Sequence, residues 1–252
     1  MTNSQNFILR VNSKLAEHFG KPKRKLNSNP LDILIATILS QNTNDKNSHK
    51  AYLNLRSKFP SWSNVEKATV SQIAKTIRTA GLSRQKANTI KQLLKTLKTK
   101  KPKFSLDYLY EFSDEQVIFE LTSISGIGVK TASCVLLFGM KRNVCPVDTH
   151  VFRTVNRTCP PNLLQTGRRV GIISKTSAEK TFYALNKILP NGIAHQFHTN
   201  LIMLGRTICK PQKPNCTECP LLKLCKHEDK NLTSPFPSKS KTANDFLLLD
   251  VI

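Results

Sequence analysis

The sequence predicts an all-α protein, and three observations carry that reading. Apolar residues recur at three- and four-residue spacings along most of the chain, as they do on one face of a helix. Helix-starting signatures stand ahead of these runs: Asn29 with Pro30, Ser113-Asp-Glu-Gln116 and Thr176-Ser-Ala-Glu179. Alternating, strand-like segments are scarce.

Taken in order, Phe7, Ile8, Val11, Leu15 and Phe19 make the N-terminal stretch a helix. It lacks the basic-then-apolar layout of a secretory signal, so none is expected. The Asn29-Pro30 start precedes the apolar run LDILIATILS. Ser83 is placed as the cap of a helix carrying Ala87, Ile90, Leu93, Leu94 and Leu97 on one side. The box at Ser113 precedes Val117, Ile118 and Leu121; that at Thr176 precedes Phe182, Leu185, Ile188 and Leu189. Linkers or loops are expected near Gly20–Ser28, Thr99–Phe104 and Cys159–Gly171, all rich in Pro, Gly or basic residues. The Lys98–Lys103 charge run reads as a solvated loop or a DNA contact. Residues 227–252 read as a flexible tail whose closing FLLLDVI is apolar enough to dock.

Charge narrows the class of partner. Thirty-nine Lys and Arg against sixteen Asp and Glu give a net +23, which favours a polyanion, nucleic acid foremost, through phosphate neutralisation. A ribosome-associated protein, an anionic membrane surface and a lysine-rich proteome are the other readings. No apolar run is long enough to span a membrane, so no transmembrane segment is expected. Seven cysteines in a chain read as intracellular argue against a disulfide framework. Four of them form Cys209-x6-Cys216-x2-Cys219-x5-Cys225, a clustering that points to a metal: tetrahedral zinc or a [4Fe–4S] cube. Zinc sites more often pair two CxxC-like knuckles, whereas here there is one CxxC and two wider gaps. Cys134, Cys145 and Cys159 have no place in that pattern and read as buried thiols.

The richest segment is LTSISGIGVKTASCVLLFGM, residues 121–140. A short helix ends at Ser125-Gly-Ile-Gly128 and a second begins at once. Gly126 and Gly128 can take positive φ and leave no side chain between backbone and ligand. The amides at the new helix start suit a phosphate, while an ordinary tight helical turn is the alternative. Ile124 and Ile127 would wedge the two helices together. Lys130, read alone, is a surface charge or phosphate contact. Asp148 ahead of Val151, Phe152 and Val155 reads as a helix N-cap.

The string LxxIxGIGxKTA closely resembles the helix-hairpin-helix of the endonuclease III family of DNA glycosylases and abasic-site lyases. The resemblance continues through VCPVDTHVFRTVNRT (144–158), LDILIATILSQNTNDKNSHKAY near the start and the four-cysteine cluster. It covers roughly residues 7 to 226. It implies two helical lobes: a six-helix barrel at 29–141, and a cluster domain formed by 1–28 with 142–226. DNA would cross the groove between them, with Lys130 and Asp148 facing it from opposite sides. Lys130 matches the family's nucleophilic lysine, at the mouth of the hairpin. Asp148 matches the carboxylate that stabilises positive charge developing at C1′. His150 and Arg153 travel with that motif as structural hydrogen bonds or phosphate contacts. The cysteine spacing matches the family's iron–sulfur cluster, and the first cluster loop, with Lys210 and Lys213, would meet the DNA backbone. Ser40-Gln-Asn-Thr-Asn-Asp45 resembles the loop that plugs the gap left by an extruded base. The bacterial form reads SAQATD, with glutamine where Asn42 stands; Gln41 could substitute, or Asn42 could do a shorter version of the job.

The implied function is base excision from double-stranded DNA, of oxidised pyrimidines in particular, with strand cleavage by β-elimination. The protein is expected to be a monomer of the cytoplasm or nucleoid. A monofunctional mismatch or uracil glycosylase is the alternative within the fold, but such relatives carry Tyr, Ser or another residue at the Lys130 position. A non-catalytic DNA-binding module is the alternative outside enzymes; phosphate binding alone needs neither Lys130 nor Asp148. A zinc-stabilised nucleic-acid-binding protein is the third.

Overall fold

The structure, a computed structural model, describes residues 2–24, 28–100, 104–160 and 177–233. The described residues contain no strand. Eleven α-helices follow one another among them: α1 (Asn3–Phe19), α2 (Pro30–Ser40), α3 (Asp45–Lys58), α4 (Trp62–Lys67), α5 (Val70–Thr76), α6 (Ser83–Lys100), α7 (Asp114–Thr122), α8 (Val129–Cys134), α9 (Thr149–Thr158), α10 (Ala178–Ile188) and α11 (Ala194–Thr207). None among them is long and apolar enough to cross a membrane. The chain divides into two compact units. Of the described residues, one comprises 2–24, 143–160 and 177–233, the other 28–100 and 104–142. The expected tail beyond residue 233, the Lys101–Lys103 part of the charge run and most of the Cys159–Gly171 segment lie outside the described residues.

The first unit packs α9 and α1 against α11, with α10 touching α1 and α9. Ile8, Val11, Leu15 and Phe19 of α1 are buried as their spacing predicts, and Thr2 with Gln5 closes a capping box ahead of them. Of the expected box at residues 176–179, Thr176 lies outside the described residues. Ser177 is the N-cap, accepting from the Lys180 amide at 3.1 Å. α9 and α11 approach so closely at Gly205 that a Cβ there would lie 2.9 Å from the His150 Cβ.

In the second unit α2 is buried on every side but its end, and contacts α3, α6 and α8. Asn29 caps it as predicted, accepting from the amides of Leu31 and Asp32. The α6 stripe of Ala87, Ile90, Leu93, Leu94 and Leu97 is buried, and the Ser113–Gln116 box opens α7. Two local readings need correction. Ser83 is the first helical residue of α6 and not its cap; Leu82, held at φ 46°, precedes it. The α7 helix ends at Thr122, three residues short of Ser125. After α8 the chain runs directly into a single π turn, Val135–Gly139, fully buried against α2.

The turn between α7 and α8 needs only one of its two glycines for conformation. Gly126 stands at φ 86°, and a Cβ on it would lie 2.5 Å from Thr89 Oγ1 of α6. Gly128 is extended at φ −102°, with nothing within 4 Å of an added Cβ. Buried Ile124 and Ile127 fill the space beneath the turn. Gly126→Ala should therefore cost about 2 kcal/mol or more, from left-handed backbone strain plus the clash. Gly128→Ala should stay within about 0.5 kcal/mol. Urea unfolding of the two variants checks this, and Thr89→Ser should relieve none of the φ component.

Candidate nucleic-acid interface and cysteine cavity

In the second unit the site grows from two helix ends. α8 starts at Val129, and Gly128 at its N-cap has no side chain to offer, so the first amides are left to turn, solvent or ligand. Lys130 is its second residue and is half-buried. Beside it, the C-terminus of α2 opens into Gln41-Asn42-Thr43-Asn44. The Gln41 amide Nε2 donates to Thr131 Oγ1 at 3.3 Å and lies 3.4 Å from the Gly126 carbonyl. Gln41 is thereby committed to the hairpin. Asn42 is exposed at the loop tip with φ 51°, a conformation that asparagine tolerates better than other residues with a Cβ. Of the two candidates for reaching into a duplex, Asn42 is the one presented.

A second tip went unnoticed in the sequence. Leu82 is 53% exposed and sits between Gly81 at φ 67° and the start of α6. Helical spacing would extend the apolar stripe of α6 backward onto Leu82 and hide it in the core. Its left-handed backbone, visible only in three dimensions, turns it outward. A large apolar side chain held in a strained, exposed conformation is the kind of feature that gathers at functional sites.

In the first unit, Asp148 is half-buried at the N-cap of α9, its Oδ1 accepting from the Val151 amide at 2.7 Å. His150 lies beneath it on the same helix. Burial holds this imidazole below its usual range, only partly offset by the Asp148 charge, so it is neutral at pH 7. Its Nδ1 lies 3.2 Å from the Arg153 guanidinium. Arg153 is structural: Nε donates to the Cys209 carbonyl and Nη2 to that of Gly205, each at 2.8 Å.

One turn further along α9, Arg157 organises the cysteines. Its Nη1 donates to the Lys210 carbonyl at 2.7 Å and lies 3.5 Å from Cys209 Sγ, while Nη2 donates to the Pro211 carbonyl at 3.0 Å. Cys209, Cys216, Cys219 and Cys225 line one cavity, with Leu204, Ile208 and Leu222 as apolar wall. Burial pushes the Cys219 thiol up to about 12 and that of Cys225 upward, so as bare thiols both are neutral. Among the described residues, no three Cys, His, Asp or Glu side chains converge so as to hold a single metal ion. Lys210 and Lys213 are exposed on the first cysteine loop, and Lys213 has a φ of 47°. Arg157 escaped the sequence reading, although its i,i+4 spacing from Arg153 was the available signal. Cys134, Cys145 and Cys159 are buried, as expected.

Residues 35–190 match the family described as the HhH-GPD superfamily of base excision DNA repair proteins. The chain belongs to that superfamily. Endonuclease III of Thermotoga maritima is 32% identical over 204 residues, 81% of this chain and 86% of the relative. An Arabidopsis thaliana protein named "Putative DNA glycosylase" is 35% identical over 200 residues, 79% of this chain; the match spans 64% of the plant protein's length. Among solved structures, a trapped endonuclease III–DNA covalent intermediate superposes with a TM-score of 0.69 at 29% identity, covering 90% of this chain and 97% of that one. A thermostable thymine-DNA glycosylase gives the same TM-score at 22% identity, which shows a shared fold. The helix-hairpin-helix of this HhH-GPD chain is the turn from Ser123 to Gly128 flanked by α7 and α8. Its candidate site residues divide between the units: Gln41, Asn42, Gly126, Gly128 and Lys130 fall in one, and Asp148, Lys210, Lys213 and the four cysteines in the other.

The capping bond gives Asp148 a structural duty separable from its charge. Asp148→Asn retains an oxygen for the Val151 amide and should leave the melting temperature nearly unchanged. Asp148→Ala removes the cap and should cost about 1 kcal/mol, read by thermal or urea unfolding.

Proposed function

We propose that this chain is a DNA glycosylase with abasic-site lyase activity, in which Lys130 is the nucleophile and Asp148 its carboxylate partner. The observation that carries the reading is the setting of Lys130. It is a half-buried amine one residue beyond the uncapped start of α8, on the helix-hairpin-helix of a base excision repair family. The hairpin amides, Lys210 and Lys213 bind phosphates, and Asn42 and Leu82 enter the stack when a damaged base is turned out. The Lys130 Nζ attacks C1′, the glycosidic bond breaks, and the base leaves with the electron pair and takes up a proton. The Asp148 carboxylate stabilises the positive charge that develops at C1′. The C1′–O4′ bond then opens, O4′ taking up a proton as the C1′=N bond forms; this Schiff base loses a 2′ proton, and the C3′–O bond breaks by β-elimination. Hydrolysis then frees the lysine. Double-stranded DNA is the partner, oxidised pyrimidines are the lesion class that the endonuclease III resemblance supports, and the protein acts as a monomer. An amine at position 130 argues against a monofunctional enzyme.

The four cysteines fit an iron–sulfur cluster better than zinc. The four line one cavity, and their spacing, one CxxC with two wider gaps, matches the endonuclease III cluster, whereas zinc sites more often pair two CxxC-like knuckles. Cys209, Cys216, Cys219 and Cys225 would hold it, and its charge would stabilise buried thiolates that are otherwise unfavourable. When bound, such a group ties the cysteine loops together. Anaerobically purified protein should be brown with broad visible absorption. Colourless protein with one zinc per chain would overturn the assignment.

Borohydride should link the wild-type protein covalently to duplex DNA carrying an abasic site. Lys130→Ala should abolish both trapping and strand cleavage while still binding that DNA, because the hairpin's phosphate contacts are backbone amides. Asp148→Asn should slow base excision by on the order of 10²-fold without loss of fold. Trapping undiminished in Lys130→Ala would place the nucleophile elsewhere.

A further inference from the structure

Lys86 is the most deeply buried cation described in the chain, 2% exposed near the start of α6. Its ammonium donates to two backbone carbonyls, Leu39 and Ala80, each at 2.8 Å. Leu39 is the penultimate residue of α2, three residues before the exposed tip Asn42. Ala80 closes a 3-10 turn (Arg78–Ala80), two residues before the exposed tip Leu82. One buried charge therefore joins the two segments that end in left-handed, outward-facing residues.

A lysine is an expensive choice for that position. Burial pushes its pKa down to about 8, so it is mostly charged at pH 7 and bears the desolvation penalty there. A methionine of similar length would fill the same space without that penalty. What methionine cannot do is answer two carbonyls at once. The Leu39 carbonyl belongs to the last turn of α2, where no intrahelical donor is available and the helix dipole favours a cation. The charge thus secures the point at which a rigid helix hands over to each strained tip.

We propose that Lys86 is a positioning residue for opening the duplex: by clamping the Leu39 and Ala80 carbonyls together it holds Asn42 and Leu82 in the conformations in which they displace a base. The proposal rests on the reading of those two tips as the parts that enter DNA. Lys86 touches neither DNA nor the reacting atoms in this scheme. It acts by fixing the registry of two loops, and sub-ångström slack there is enough to slow extrusion.

Lys91 provides a matched control. It lies on the same helix and also donates to two carbonyls, those of Glu66 and Ala68, but neither leads to an exposed tip. The probe is a duplex with a tetrahydrofuran abasic analogue opposite 2-aminopurine, whose fluorescence rises when it is unstacked. At saturating protein, Lys86→Met should lose at least about half of the rise and excise a lesion on the order of tenfold more slowly in single turnover. Lys91→Met should retain both. The salt dependence of binding should match wild type in each, since no phosphate contact is removed. Equal losses in the two variants would show a general stability effect and overturn the proposal, as would a wild-type signal in Lys86→Met. Should Lys86→Met not fold, Lys86→Gln keeps an uncharged amide donor on a side chain one bond shorter and should give an intermediate signal; a full signal overturns the proposal. Failure of the underlying reading is seen separately: Asn42→Ala and Leu82→Ala would then leave fluorescence and excision at wild-type levels.

Discussion

A helix that stops leaves carbonyls without donors, and the loops that follow such stops must be held by other groups. The recurring answer is a basic side chain laid across two or more of them. Lys86 takes Leu39 and Ala80, and Lys91 takes Glu66 and Ala68. Arg142 takes Leu109, Tyr110 and Phe112, and is also paired with Asp114 at 2.8 Å. Arg153 takes Gly205 and Cys209, and Arg157 takes Lys210 and Pro211. Without these contacts the segments that follow would be loosely held. They include the Gln41–Asn44 loop, the Gly81–Leu82 turn and the first cysteine loop.

This arrangement changes how the charge of the chain is understood. A net +23 speaks for a polyanionic partner, and family membership agrees. Yet these five cations are spent inward, on carbonyls. The outward electrostatics rest on others, such as Lys210 and Lys213, which are exposed on a loop that Arg157 holds from behind. A cation that holds the loop from α9 and exposed cations on the loop itself thus stand close together, and composition does not separate them.

Strain is distributed in the same economical way. Among the described residues, four other than glycine adopt positive φ: Asn42, Leu82, Lys141 and Lys213. Three of them are the exposed tips to which DNA contacts are assigned here. Each such conformation costs on the order of 1 kcal/mol or more and persists only where its surroundings impose it. The clamps formed by Lys86 and Arg157 stand directly behind those three tips. The one glycine that the hairpin needs for φ, Gly126, is seated on Thr89 with no room for a methyl group.

Helices and their starts were legible from sequence because N-caps, capping boxes and apolar stripes are local: Asn29, Ser113 and Asp148 act within three residues of themselves. The hairpin string and the cysteine spacing were legible too, since contiguous residues build both. Where the reading slipped, the deciding contact was distant in sequence. Ser83 looked like a cap because nothing local reveals that Leu82 turns left-handed. Gln41 and Asn42 were indistinguishable until Gln41 was found bound to Thr131, ninety residues away. Gly126 and Gly128 looked equivalent until Thr89 was placed beside one of them. Sequence by itself determined the fold class and the family, because these follow from short-range pattern. Tertiary structure alone decided which tips are presented and which cations hold them. A backbone carbonyl carries no side-chain identity, so its partner cannot be read from the order of residues.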